Sequence, residues 1–175
     1  SIIKVSIFET NSFLLKAKNT TLIEYAAFFG SLQIFQFLRM NNVELKPSLW
    51  LYAIHGRNPE IIHLLEEDHI DPIDKSYNEC LKESIKCHHN ELVSYIINNL
   101  LNNNGQMGFK PNENKIVFEN SIHYFNYAYL TKNITKTAYF LDLCKYNQIS
   151  FVKLFFETKE WNLEKSIISI LFFLI

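Results

Sequence analysis

The stretch from 21 to 43 constrains this chain most. It carries two short apolar segments on either side of Gly30-Ser31. Ile23, Ala26 and Ala27 stand at i, i+3 and i+4, and Ile34, Phe35, Phe37 and Leu38 follow helical spacing again. Each segment is about two turns long, too short to hold a helix alone in water. Such a pair must bury its apolar stripe against others like it, so the pattern should recur, and it does. A shift of 27 residues sets Ala26 on Ala53, Ile34-Phe35 on Ile61-Ile62, and Phe37-Leu38 on Leu64-Leu65. A further 31 reaches Ser84, Leu92-Val93 and Tyr95-Ile96. A last copy lies 59 beyond, with Leu143-Cys144, Phe151-Val152 and Leu154-Phe155. That gap is about two repeats wide and implies a degenerate one between.

Helix-start chemistry marks the repeats. Thr21-x-x-Glu24 and Ser76-x-x-Glu79 fit the capping box, and Asn58-Pro59-Glu60 supplies a cap, a first-turn proline and an early acid. Gly30 suits a left-handed turn between two helices. The expected helices run over 22–29 and 32–40, 49–55 and 59–67, 77–87 and 90–101, then 137–145 and 149–158. Between these, Phe118, Ile122, Phe125 and Tyr129 fall at i, i+4, i+7 and i+11, which predicts a helix over 115–130. Asn102 to Gly108 reads as an exposed loop.

The pattern resembles the ankyrin repeat, Thr-Pro-Leu-His-x-Ala-Ala-x-x-Gly-His-x-Glu-Ile-Val-x-x-Leu-Leu followed by a hairpin finger. Thr21, Ile23, Ala26, Ala27, Gly30, Ile34, Phe35 and Leu38 hold matching places, with Gln33 at the Glu place. The family's Pro and His become Leu22 and Glu24, and its glycine becomes Arg57, His88 and Asn147 later on. The repeats are also shorter than the usual roughly 33 residues. The resemblance implies a divergent, protist-type member with short fingers: an all-α solenoid of stacked helix-turn-helix units. The expected array spans 1–175: a remnant of a preceding repeat (1–19), repeats at 20–47, 48–75 and 76–110, a degenerate repeat at 111–136, and a repeat at 137–165. The apolar segment 166–175 is too short to span a bilayer, which takes about 20 residues. It reads as the next repeat's first helix or a cap, or else as the start of a truncated membrane segment. The chain reads as a piece of a longer array.

A formal net charge of −1, without a basic block, disfavours nucleic acid and an anionic membrane as partners. Cys80, Cys87 and Cys144 are odd in number and unpatterned, which points to a reducing, cytoplasmic setting. Cys80 and Cys87 with His88-His89 lack the paired ligand spacing of structural zinc, so neither metal nor cofactor is expected. Glu66, Glu67, Asp68, Asp71 and Asp74 lack a calcium-loop pattern and read as a solvated finger. No phosphate-binding glycine motif is present, and stacked helix pairs make grooves rather than substrate pockets. A Cys-His nucleophile would need a pocket and a third, orienting group. The chain is therefore expected to be a non-enzyme without a small-molecule substrate.

In the ankyrin pattern the two residues after Ala-Ala close the inner helix and face the concave groove. The resemblance thus implies a protein-binding strip over Phe28, Phe29, His55, Lys86, Lys145 and Tyr146, with finger residues Glu44, Lys46 and Asp71 beside it. The opposing reading packs Phe28 and Phe29 under the preceding repeat. The implied function is a protein–protein interaction module for a partner the sequence does not identify. The alternatives are a non-catalytic repeat region of a larger enzyme or membrane protein, or a structural spacer without a specific ligand.

Overall fold

The computed structural model describes residues 2–4, 6–17, 19–101, 111–130 and 137–158, with the side chains of 111–114, 137–139 and 155–158 left aside. The expected loop at 102–108 and the segment 166–175 lie outside the described residues. The chain is all-α: no strand occurs among the described residues, apart from one isolated antiparallel bridge between Ile2 and Thr21. Two compact units form, Ser1–Ile116 and Val117–Ile175.

The first unit opens with α1 (Ser12–Lys16) and continues as helix pairs. These are α2 (Leu22–Phe28) with α3 (Leu32–Met40), α4 (Leu49–Gly56) with α5 (Pro59–Glu67), and α6 (Asn78–Lys86) with α7 (Asn90–Tyr95). The first helices of the pairs stack in order, α2 on α4 and α4 on α6, while α3 packs on α5. Small residues let the stack close: Ala27 is fully buried, Ala26 and Ala53 nearly so, and Ser84 fully. Around them pack Ile23, Phe35, Leu49, Trp50, Ile54, Ile61, Leu65, Leu81, Ile85 and Val93. The chain after α7 widens into a π-helical segment, Ile96–Leu101, with Ile96 and Ile97 both buried.

One left-handed turn recurs at the aligned positions. Gly30, Arg57, His88 and Asn147 all have positive φ, between 51° and 63°. Three of them are not glycine and carry the left-handed penalty of about 1–2 kcal/mol each. At His88 and Asn147 the bond that closes the turn offsets it, as it also closes the turn at Gly30. Ser31 N–H donates to Ala26 O (2.9 Å), His89 N–H to Ser84 O (3.0 Å) and Gln148 N–H to Leu143 O (2.8 Å), each satisfying a helix-end carbonyl. Asn42 and His69, again 27 residues apart, make the same left-handed stop after α3 and α5.

The caps divide. Thr21 forms the expected box: its hydroxyl accepts from Glu24 N–H, and Glu24 accepts from Thr21 N–H at 2.8 Å. Glu24 is buried and also accepts from the Ser48 hydroxyl at the start of α4. Asn58 caps α5, accepting from Glu60 N–H at 3.0 Å. At Ser76 the box does not form. Tyr77 takes a left-handed φ of 57°, its ring set edge-on to Trp50, and Asp74 accepts from Glu79 N–H instead.

Three further expectations change. Ile34 and Phe37 are 51% and 65% exposed: α3 packs on α2 and α5 and buries Phe35 alone. The helix expected over 115–130 stops early: α8 is Pro111–His123, and Phe125 at φ 58° starts a turn. Asn126 N–H donates to Ser121 O (2.9 Å) there, the same bond as at Ser31, and only a 3-10 turn, Tyr127–Tyr129, follows. The acidic group is no free finger. Asp68 makes a two-pronged pair with Arg39, 2.6 Å on each arm, and Glu66 accepts from the Tyr95 hydroxyl at 2.9 Å. These contacts tie α3 to α5 and α5 to α7.

The second unit contains α9 (Thr137–Lys145) and α10 (Ile149–Thr158). Its core joins Phe118, Ile122 and Leu143, with Leu130, Tyr146, Phe151 and Val152 against them.

Candidate functional site

The expected strip is only partly a surface. Phe29 is 56% exposed, its ring beside Tyr25 at 4.8 Å and edge-on to Phe28 at 5.0 Å. Phe28 itself is buried: its ring lies 5.9 Å from Phe13 and 5.0 Å from His55. That corrects Phe28 as a contact residue, since α1 already covers it. Glu44 and Lys46 form an exposed ion pair at 3.7 Å, and Asp71 is exposed. Lys145 and Tyr146 belong to the second unit, where the Lys145 ammonium sits 5.1 Å over the Tyr146 ring. Tyr146 is half-buried, with the His123 ring 4.8 Å away.

His55 is the larger correction. Its side chain is only 13% exposed and packs against two rings, Phe13 at 4.3 Å and Phe28 at 5.0 Å. Its Nε2 lies 3.0 Å from Glu83 Oε1. Glu83, on α6, also accepts from the Lys86 ammonium at 2.6 Å, so Lys86 is engaged rather than a free rim charge. Cys87 follows one turn after Glu83, with Sγ 3.7 Å from His55 Nδ1 and 3.9 Å from Nε2.

Glu83 escaped the sequence reading because its partner is 28 residues away on another helix. The spacing Glu83-x-x-Lys86-Cys87 was the available signal: it puts all three on one face of a helix. Burial works to raise the Glu83 carboxyl. Hydrogen bonds from His55 and Lys86, and their charges, outweigh it and hold the acid below the usual carboxylate range.

Cys, His and a carboxylate together suggest a nucleophilic triad, but the thiol is in the wrong state. Burial first, then the Glu83 charge, push Cys87 up to about 11, so it stays protonated near neutral pH. Cys80 is buried, and burial raises its thiol as well. His89 turns inward, its Nδ1–H donating to Ile54 O at 2.8 Å. Burial, with the nearby Arg57, His55 and His88, holds its ring below the ordinary histidine value. A separate groove opens between α5 and α7, lined by Arg57, Pro59, Ile62, His63, Leu92 and Tyr95. Among the described residues, no helix is long and apolar enough to cross a membrane.

Compared with known proteins, the chain matches no protein-family model, no curated protein and no solved structure.

Proposed function

We propose that this chain is a non-catalytic binding module of ankyrin type, cytoplasmic, that holds a protein partner against its inner helices and the connections at 43–47 and 70–74. The carrying observation is the left-handed turn at Gly30, Arg57 and His88, spaced by 27 and 31 residues and closing three stacked helix pairs. Such stacking repeats one surface position along an array, which favours extended contacts with another chain over a single reactive pocket. Phe29 supplies an exposed aromatic anchor, and Glu44, Lys46 and Asp71 supply a mixed-charge rim. The step from fold to function is one of analogy.

The test is capture of a partner by the full chain, then affinity measurements on variants. Phe29→Ala with Asp71→Lys should weaken binding by at least ~1 kcal/mol, the scale of an interface anchor. Gln36→Ala with Glu60→Ala, both on outer helices, should leave it unchanged. If the outer pair abolished binding and the inner pair did not, the outer helices would carry the binding face and this assignment would fall.

A further inference from the structure

The three side chains that meet between α4 and α6 do more than pair. We propose that His55, Glu83 and Cys87 form a site for Zn2+ or a divalent ion of its class, clamping α4 to α6 and leaving the fourth coordination position to water. The inference stands apart from any protein partner.

The donor set is one argument. A thiolate, an imidazole nitrogen and a carboxylate oxygen are the three protein ligand types zinc takes. They suit a borderline-soft ion rather than Ca2+ or Mg2+, which ask for oxygen.

The geometry is the second. Each residue offers one ligand atom, and the atoms lie within 4.8 Å of one another. His55 Nε2 and Glu83 Oε1 are 3.0 Å apart, and Cys87 Sγ is 3.9 Å from each. The point equidistant from all three therefore lies about 2.1 Å from each, against roughly 2.0–2.1 Å for Zn–N, 2.0–2.2 Å for Zn–O and 2.3 Å for Zn–S. Raising the ion slightly out of that plane, as a tetrahedral arrangement with one open corner requires, lengthens all three distances by about 0.1 Å. The three ligand side chains stay close to where they are, and Lys86 is the one that must give way.

Preorganisation is the third. The Phe13 and Phe28 rings both pack against the His55 ring. Glu83 and Cys87 stand one helical turn apart on α6 and share its rigidity. The Lys86 ammonium lies 2.6 Å from Glu83 Oε1, so this oxygen already takes a cationic partner. Its side chain is 37% exposed, and its flexible stem lets it give way. Binding breaks the Cys87 S–H bond, forms a sulfur–metal bond and releases the proton to solvent. The sequence hides the site because its ligands come from two helices, in no chain-wise zinc spacing.

The test titrates the full chain, stripped by a chelator, with Co2+ alone and follows its absorption. The expected result is a single equivalent bound, with the ligand-field bands of a tetrahedral ion and an intense thiolate-to-cobalt charge-transfer band that Zn2+ abolishes by displacement. Cys87→Ser should remove the charge-transfer band, and Cys144→Ser, which alters an exposed thiol, should keep it. Glu83→Gln should weaken Co2+ by more than roughly tenfold, since even an outer-shell change costs that much. Circular dichroism reports whether each variant folds. In the unaltered chain, Zn2+ should also slow alkylation of Cys87 and spare that of Cys144, read by peptide mass. No charge-transfer band, a band that survives in folded Cys87→Ser, or alkylation of Cys87 indifferent to Zn2+ would overturn the site.

Discussion

Gly56 shows how one residue fixes the distance between two helices. A Cβ built there would meet Ala27 O at 2.0 Å and Gly30 N at 2.8 Å, backbone atoms with no side chain to swing aside. The glycine is needed for close approach of α2 and α4 and not for its φ. Gly30 needs both: it turns left-handed at φ 63°, and its Cβ would meet Gly56 O at 2.6 Å. Gly56→Ala should therefore lower stability by at least about 1–3 kcal/mol, the cost of overpacking. A urea midpoint that does not move would show that the two helix ends are not in contact. Sequence reasoning found Gly30, because a left-handed turn has a residue signature. The close approach at Gly56 has no such signature, because it depends on which backbone lies opposite. The same limit applied at Phe28 and Phe29. They are chemically identical neighbours, and only the position of α1 decides that one is buried and the other exposed.

At the scale of the element, helix existence was legible and helix termini were not always so. Apolar spacing located both helices of each pair in the first unit, because that spacing reports which face is buried. Thr21 and Ser76 carry the same capping signature, yet only Thr21 uses it. The difference is Trp50: the Tyr77 ring packs edge-on to it, and the left-handed Tyr77 backbone takes Ser76 out of the capping position. Asp74 fills the vacancy, accepting from Glu79 N–H at 3.1 Å and from the Ser76 hydroxyl at 2.7 Å. Asp74→Ala should then cost about 1 kcal/mol, as the loss of a cap does, and Ser76→Ala distinctly less. The pH dependence follows. Burial pushes the Asp74 carboxyl up, but the Ser76 hydroxyl and the N–H groups of Glu79, Ser76 and Asn78 outweigh it and hold the acid below its ordinary value. A lowered folded value means the ionised form stabilises the fold. That contribution is complete above the ordinary aspartate pKa of about 4 and is lost as pH falls through the lower, folded value. Asp74→Asn should flatten the acid limb of a stability–pH curve. An equally steep limb, or a Ser76→Ala cost matching that of Asp74→Ala, would return the cap to Ser76.

Across the whole molecule, stability should follow the order of stacking rather than the order of the chain. In the first unit α4 has α2 on one side and α6 on the other, and five of its eight residues are buried. Trp50 adds an indole N–H donated to Ile70 O, which ties α4 to the connection after α5. At the other extreme, α1 has five residues and buries one, Leu14. It covers Phe28 and His55 with Phe13 but adds few backbone bonds of its own. Helix α3 lies between these: it buries Phe35 and leaves Ile34 and Phe37 open. Local opening costs most where most apolar contact must be broken, so the amides of α4 should open only with the unit as a whole. Native-state hydrogen exchange should therefore find α4 slowest, α6 close behind it, α3 faster and α1 fastest, with α1 more than roughly tenfold quicker than α4. The ranking differs from one set by helix length, which would protect α3, at nine residues, above α4 at eight. Protection of α1 equal to that of α4, or of α3 above α4, would mean that the stacked first helices do not organise the unit.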